Sequence, residues 1–135
     1  MTVQELAEGI TDALVPLASV IPGLQVYGYW NDNPTPPSLD VYPGDPFQTG
    51  AALGGAGNAE VFFTVRARVS TGDLEAAQKL LLRLLDVQDP ASVEVALQDV
   101  AVVTQEGVSG LRQYAEDSGA SERMLGCEWR VSQFT

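Results

Sequence analysis

The stretch from Glu60 to Asp86 changes its hydrophobic period from that of a strand to that of a helix within a few residues. Alternate residues from Val61 to Val69 are apolar, as in a strand with one face in a core. Beyond Gly72 the leucines recur at helical spacing, and Thr71 or Asp73 is the expected N-cap. A strand therefore leads directly into a helix, and the chain is expected to fold as a sheet packed against helices.

The opposite face of this strand carries Arg66 and Arg68. Two arginines on one strand face usually form a solvated or edge-protecting surface, because charges on an edge strand discourage pairing with other chains. We therefore expect both guanidinium groups to face solvent.

The remaining segments supply a second long helix and further strands. Apolar residues from Val3 to Leu17 recur at helical spacing, with Thr2 as the expected N-cap and Pro16 as the expected end of the helix. Strands are predicted over residues 24–30, 38–42, 61–69, 100–104 and 125–131, and a short helix over 89–97. This order predicts one α+β domain over residues 1–135, a mostly antiparallel sheet with two main helices packed on one face.

Two internal segments are predicted to lack regular structure. The first, about residues 43–58, is a flexible glycine-rich loop, and the second, about 105–121, is an irregular connection or a long hairpin tip. Unstructured loops as long as the first are uncommon in compact domains, and many of them bind a partner.

The residues on which most enzymes depend are scarce. Histidine is absent from the sequence, which excludes Ser-His and Cys-His nucleophile pairs and imidazole ligands for zinc. The single cysteine, Cys127, lies at an inward strand position between Leu125 and Trp129, where it is expected to be a small core residue and not a reactive thiolate. We therefore expect no enzyme activity, no catalytic residue, no metal and no cofactor.

Carboxylates are the remaining candidates for catalysis. Asp40 and Asp45 flank the glycine-rich segment, and Glu116 and Asp117 are adjacent in the chain. Neither pair has a recognisable catalytic spacing, and an acidic surface accounts for both.

Two further segments differ from ion-binding and phosphate-binding loops. The run from Gly50 to Gly57 has no Gly-Lys-Ser or Gly-Lys-Thr ending and precedes a strand instead of opening a helix. The segment from Asn31 to Asn33 lacks the glycine and the later glutamate of a calcium loop. Neither segment predicts a ligand site.

The charge of the chain bears on its partners. It has 18 acidic and 7 basic residues and a formal charge of -11, whereas nucleic-acid binding rests on clustered Lys and Arg. Sequence-specific binding of nucleic acid is not expected.

The N-terminus lacks a basic region followed by an apolar core, and no apolar run approaches the roughly 20 residues that span a bilayer. The expectation is a soluble protein made in a cytoplasm, without a membrane partner.

In this arrangement of elements the chain resembles the tail-terminator proteins of long-tailed (siphovirus-type) bacteriophages over nearly its whole length. Besides the N-terminal amphipathic helix and the proline-rich link after the first strand, the resemblance rests on the segments SLDVYPG, VFFTVRARV, TGDLEAAQKLLLRLLD, DPASVEVALQD and MLGCEWRV. Related neck proteins share this pattern.

The resemblance implies a virion protein that is not an enzyme. It implies a ring, commonly a hexamer, at the head-proximal end of the tail tube, which stops tube polymerisation and provides the joining surface for the head-tail connector protein. The implied partners are further copies of the chain, the tail tube protein and the connector, while DNA passes through the ring. Before assembly the protein would be in the host cytoplasm.

Residue roles follow from this implied ring. A channel through which DNA slides is expected to be acidic, because it should repel phosphate. The candidate channel or partner-loop residues are Asp40, Asp45, Phe47, Leu53 and Glu60. Since like charges resist association, basic residues are expected at the subunit interface. The candidates there are Arg66, Arg68, Arg112 and Arg123.

Other functions remain open from the sequence. One is another neck or head-tail connector protein. A second is a small α+β adaptor module that recognises a peptide or ligand through the glycine-rich segment and the aromatic group Tyr27, Tyr29 and Trp30. A third is an enzyme that relies on carboxylates alone. Ring formation separates the phage neck proteins from the other two.

Overall fold

The computed structural model describes residues 2–49, 59–115 and 123–134. The helices are α1 (Val3–Leu14), α2 (Leu74–Leu85) and α3 (Val93–Leu97), and a 3-10 turn over Val15–Ser19 follows α1. The strands are β1 (Gln25–Tyr27), β2 (Ser38–Thr49), β3 (Glu60–Ser70), β4 (Val102–Val108), β5 (Arg112–Ala115) and β6 (Arg123–Phe134).

The helices begin at side chains that cap their free amides. The hydroxyl of Thr2 accepts a hydrogen bond from the backbone N of Glu5 at 3.1 Å, and the carboxylate of Asp73 accepts one from the backbone N of Ala76 at 3.1 Å. Both predicted caps are confirmed, with Asp73 chosen over Thr71. The α-helical turns of α1 end before Pro16, as predicted, because proline has no amide proton to donate.

The short helix starts later than predicted. It begins at Val93 with the Ser92 hydroxyl as its cap, and not at Asp89. Asp89 instead accepts a hydrogen bond from the backbone N of Ala91 at 2.8 Å and pairs with Arg83 of α2. These bonds lower the pKa of the Asp89 carboxyl, the Arg83 contact being the largest cause. Asp89 therefore ties the end of α2 to the turn that precedes α3.

Among the described residues, six strands form one sheet. The order is β1-β2-β3-β6-β4, and β5 lies beside β4 on the same edge of β6. Only β1 and β2 pair in parallel, and the other pairs are antiparallel. The predicted α+β domain with a mostly antiparallel sheet and two main helices is confirmed.

Strand β2 extends into the segment predicted as a glycine-rich loop. It continues past the predicted end at residue 42 because Gln48 and Thr49 pair with Val61 and Glu60 of β3. A register shift between Pro43 and Gln48 accommodates the prolines, which cannot donate to the ladder. The loop prediction is therefore wrong for residues 43–49, and residues 50–58 lie outside the described part of the chain.

The predicted irregular connection at 105–121 also contains strands. β4 and β5 form because the long strand β6 offers them a partner along one edge. Such pairing joins distant segments and leaves no pattern in the local sequence. Residues 116–122, with Glu116 and Asp117, lie outside the described residues.

The hydrophobic core lies between the helices and one face of the sheet. Leu6, Ile10 and Leu14 of α1 and Leu81 and Leu84 of α2 are buried there. The buried sheet residues on this face are Leu39, Val41, Val61, Phe63, Val65, Ala67, Val69, Cys127, Trp129 and Val131. The predicted inward set of β3 is therefore confirmed.

Gly23, in the turn before β1, has a left-handed backbone with φ of 81°. A Cβ there would meet no atom within 4 Å, so a side chain would be opposed by backbone strain alone. We expect Gly23→Ala to lower the free energy of unfolding by about 1 to 2 kcal/mol in urea denaturation. Gly72→Ala is the control, because its Cβ would make only an ordinary contact with Ser70 at 3.7 Å. Equal effects of the two variants would contradict the prediction.

Candidate functional site

An ion-pair cluster lies on the sheet face opposite the helices. The register of β2 and β3 places Asp40 beside Arg66, with Arg68 two residues further along β3. Arg66 donates to the Asp40 carboxylate twice, from Nε to Oδ1 at 3.2 Å and from Nη2 to Oδ2 at 2.5 Å. Arg68 Nη2 donates to Oδ2 at 3.2 Å. One carboxylate thus bridges two guanidinium groups.

The segment after β1 covers this cluster. The carbonyl of Asn31 accepts a hydrogen bond from Arg68, and its backbone N donates to Asp40 Oδ2 at 3.4 Å. The Trp30 ring lies over the Arg66 guanidinium, 4.4 Å from its central carbon to the ring centroid. Asp40 is 0% exposed as a result. The cluster joins β2, β3 and the covering segment.

These positions correct three expectations. Arg66 and Arg68 are buried and not solvated, because Trp30 and Asn31 cover this face of β3. β3 lies between β2 and β6, so it also needs no edge protection. Both side chains are buried and pair with Asp40 within the subunit, so they are not available as cross-subunit partners. Asp40 cannot line a channel, since its carboxylate is covered from every side.

The rest of this face is also packed. Arg130 of β6 places its guanidinium 4.2 Å from the centroid of the Phe62 ring, and Tyr42 packs edge-on against Trp30 with ring centroids 4.7 Å apart. Burial raises the pKa of the Tyr42 phenol from its usual 10.0 to about 12, and the nearby Glu128 carboxylate adds to the rise. Phe62 therefore packs against Arg130, and Tyr42 packs beside the ion-pair cluster.

We expect the stability of the fold to decline above pH 10. An unfolded Tyr42 loses its proton near pH 10 and a folded one near pH 12, so the stabilisation is complete below pH 10 and is lost as the pH rises toward 12. The Tyr42 contribution is about 2 to 3 kcal/mol. Urea denaturation from pH 8 to 12 should show a steeper decline for the wild type than for Tyr42→Phe. Parallel profiles would contradict this.

Cys127 is fully buried in the core, as predicted. Burial raises the pKa of its thiol to about 12, with a further contribution from Glu128. A thiol in this state is a poor nucleophile at neutral pH, because the thiolate is the reactive form. Its environment is that of a structural side chain.

Large apolar side chains are exposed at one edge of the sheet. On β4, the terminal strand of the order, Val102 is 64% exposed, and Phe134 at the end of β6 is also 64% exposed. Val108 and Leu111 are exposed further along the same edge. Val102 and Phe134 border an open depression of about 440 Å³. Exposed apolar groups on an edge strand favour association with another chain.

Aromatic side chains are exposed near the opposite edge, at β1. Tyr29 is 59% exposed and Trp30 is 53% exposed. The Trp30 indole N donates to Asp32 at 2.5 Å, which fixes the ring. Tyr27 is half-buried and packs edge-on against Tyr29. The predicted aromatic group is thus brought together, and two of its rings face outward.

The other predicted site residues are scattered. Asp45 is exposed, and Phe47 packs edge-on against Phe63 with centroids 5.7 Å apart. Glu60 accepts a hydrogen bond from the Ser132 hydroxyl at 2.9 Å. Arg112 is exposed at the start of β5. Leu53 and the side chain of Arg123 lie outside the described part of the chain.

Sequence reasoning missed the exposed edge residues Val102, Val108 and Phe134. Val102 lies in the strand predicted over residues 100–104, and Phe134 lies just beyond the strand predicted over 125–131. A strand pattern alone does not show which strand is at an edge of the sheet. Within the described residues, no group of three or more His, Cys, Asp or Glu is placed to hold a metal ion. None of the described helices is long and apolar enough to cross a membrane.

Comparisons with known proteins give no functional assignment. No family model matches the chain, and no curated protein matches it. Among the solved structures, one whose name describes no function matches with 16% identity and a TM-score of 0.48. The match covers 100% of this chain and 99% of the other. A likeness of this degree carries no argument about function.

Proposed function

We propose that this chain is a structural protein of a long-tailed bacteriophage virion, which assembles as a ring at the head-proximal end of the tail tube. In this role it stops tube polymerisation and offers the joining surface for the head connector. The observation that supports the proposal most strongly is an open sheet with two unlike edges, both bearing exposed large apolar side chains. Two different surfaces on one subunit favour head-to-tail contacts, which close into a ring when the rotation permits.

The order of helices and strands adds to this support. The segments that carry the resemblance to tail terminators include the strand and helix pair β3 and α2, which forms the scaffold of the described fold. A hexamer is the ring that the resemblance favours. Another neck or connector protein with the same surfaces is the nearest variant of the proposal.

The acidic composition suits a conduit for DNA. With a formal charge of -11 per subunit, a ring would repel the phosphate backbone and let DNA slide without being held. Asp45 is the exposed carboxylate of the predicted channel set, while Asp40 is buried and paired with Arg66 and Arg68. Acidic residues on the surface would therefore supply the repulsion.

The decisive experiment mixes the purified protein with tail-tube subunits from the same phage while the tubes are growing. Electron microscopy should show shorter tubes with a cap at one end as the protein concentration rises. Protein added after growth has stopped is the control, because it should leave the lengths unchanged. Unaltered lengths and bare ends during growth would refute the terminator role.

A binding module is the second candidate, and the exposure of Tyr29 and Trp30 favours it. Rigid aromatic side chains supply contact area at low entropic cost, and they often anchor a partner. This candidate predicts a stable monomer that binds a peptide or ligand with quenching of Trp30 fluorescence. A ring of defined size in analytical ultracentrifugation would argue against it.

A further inference from the structure

The edge formed by β4 and β5 has an unoccupied side in the described part of the chain. β4 and β5 both pair with β6 on one side only. Backbone groups on the other side of an edge strand can pair with a strand from another chain. The exposed Val102 and Phe134 lie beside the open depression at this edge. Apolar surface and free backbone groups thus occur together.

Among the side chains that the structure describes, one cation lies at this edge. Arg112 at the start of β5 is exposed and has no ion-pair partner among the described residues. The other described cations are engaged within the subunit: Arg66 and Arg68 by Asp40, Lys79 by Glu75, Arg83 by Asp89, and Arg130 by the Phe62 ring. In so acidic a chain, Arg112 is therefore the described cation most available to a second copy.

The opposite side of the molecule carries the complementary charge. Glu8 and Asp12 of α1 border an open depression of about 410 Å³ that Gly28, just after β1, also lines. Both carboxylates are exposed, and the exposed Tyr29 follows Gly28 directly. An acidic and aromatic surface therefore lies at the β1 side, opposite the apolar edge of β4 and β5, which carries Arg112 on β5 and has Glu60 beside Val102 and Phe134.

We infer that the β4–β5 edge of one copy docks against the β1 and α1 side of the next copy, with Arg112 facing Glu8 and Asp12. This inference rests on the proposed ring and names its subunit contact. Contact between two like sides would place Glu8 and Asp12, or else Arg112, against the same residues of another copy, and like charges at an interface oppose binding. The head-to-tail arrangement brings opposite charges together at every contact and leaves neither edge open.

Cysteine crosslinking tests which sides meet. The probes are Val102→Cys and Tyr29→Cys, and a flexible bismaleimide joins cysteines that lie close together. Cys127 is fully buried, so the wild-type protein should give no crosslink. A chain with both substitutions should give a ladder that ends at the ring size. A mixture of the two single variants should give dimers, and each single variant alone should remain uncrosslinked.

The control is Leu82→Cys, which places an exposed thiol on α2, away from both edges. It should crosslink with neither probe. Self-crosslinking of Val102→Cys would show that like edges meet and would overturn the inference, and so would the absence of any ladder at high protein concentration. If the tubes are capped but this crosslink does not form, the proposed function stands and the inferred subunit contact is wrong. If the crosslinked ladder forms but tube lengths do not change, the subunit contact stands and the terminator role is wrong.

Charge reversal tests the role of Arg112. We expect Arg112→Glu to weaken self-association at least about tenfold in sedimentation equilibrium, since one lost charge pair and one new repulsion act at each contact. Asp12→Arg in the same chain should restore most of the loss, because the swapped charges meet again in a head-to-tail contact. Lys79→Glu makes the same charge change on α2 and is the matched control. Equal effects of Arg112→Glu and Lys79→Glu, or no rescue, would overturn the assigned charge pair.

Discussion

Asp40→Ala is expected to lower the free energy of unfolding by about 3 to 5 kcal/mol. The substitution removes a carboxylate that accepts hydrogen bonds from both Arg66 and Arg68, and it leaves two buried guanidinium groups with one negative charge fewer beside them. Uncompensated buried charge is far more costly than the net contribution of an intact pair. The measurement is the midpoint and slope of urea denaturation for the wild type and the variant.

Two further variants test whether the loss of stability comes from removing a buried charge or from removing any carboxylate of this strand. Asp45→Ala removes an exposed carboxylate five residues further along the same strand, and it should change the free energy of unfolding by less than about 0.5 kcal/mol. Asp40→Asn keeps the shape but not the charge, and its loss should fall between those of the two alanine variants. A loss below about 1 kcal/mol for Asp40→Ala would mean that solvent reaches the guanidinium groups.

The fold was predictable where local pattern and long-range packing agree. The period of β3 and α2, and the caps Thr2 and Asp73, follow from the sequence and are present in the structure. The alternation of β6 also predicts correctly that Cys127 is in the core, because one face of β6 packs against the helices. These features depend on neighbours that are close in the chain.

The arginines of β3 show where such reasoning fails. Alternation correctly places Arg66 and Arg68 on the face away from the helices, but it does not show that another segment covers this face. That cover comes from Trp30 and Asn31, more than 30 residues earlier in the chain. Both arginines were therefore assigned to solvent, although each donates hydrogen bonds to Asp40 on the neighbouring strand.

The candidate association surface could be predicted only in part. Tyr29, Trp30 and Arg112 stand out in the sequence as aromatic or charged side chains. The position of Val102 and Phe134 at one side of the sheet depends on strand order, because β4 is the terminal strand and Phe134 ends the strand beside it. Strand order is a property of the whole sheet, so local periodicity does not contain it.

Leu81→Ala is expected to lower the free energy of unfolding by about 2 to 5 kcal/mol. Leu81 is fully buried in the core, on the side of α2 that faces the sheet. Removing its side chain loses transfer free energy and leaves a cavity that the packed strands cannot fill completely. Denaturation in urea should show a lower midpoint with an unchanged slope.

Leu82→Ala is the matched control for this prediction, because it is the same substitution on the adjacent residue of the same helix. Leu82 is 51% exposed, and alanine has the higher helix propensity, so the change should stay within about 0.5 kcal/mol. Both variants make the same change in helix propensity. The difference between their free energies of unfolding therefore measures the contribution of core packing. Losses of equal size would show that α2 does not pack on the sheet through this face. Since Leu82 also lies outside the inferred subunit contact, its alanine variant should assemble like the wild type.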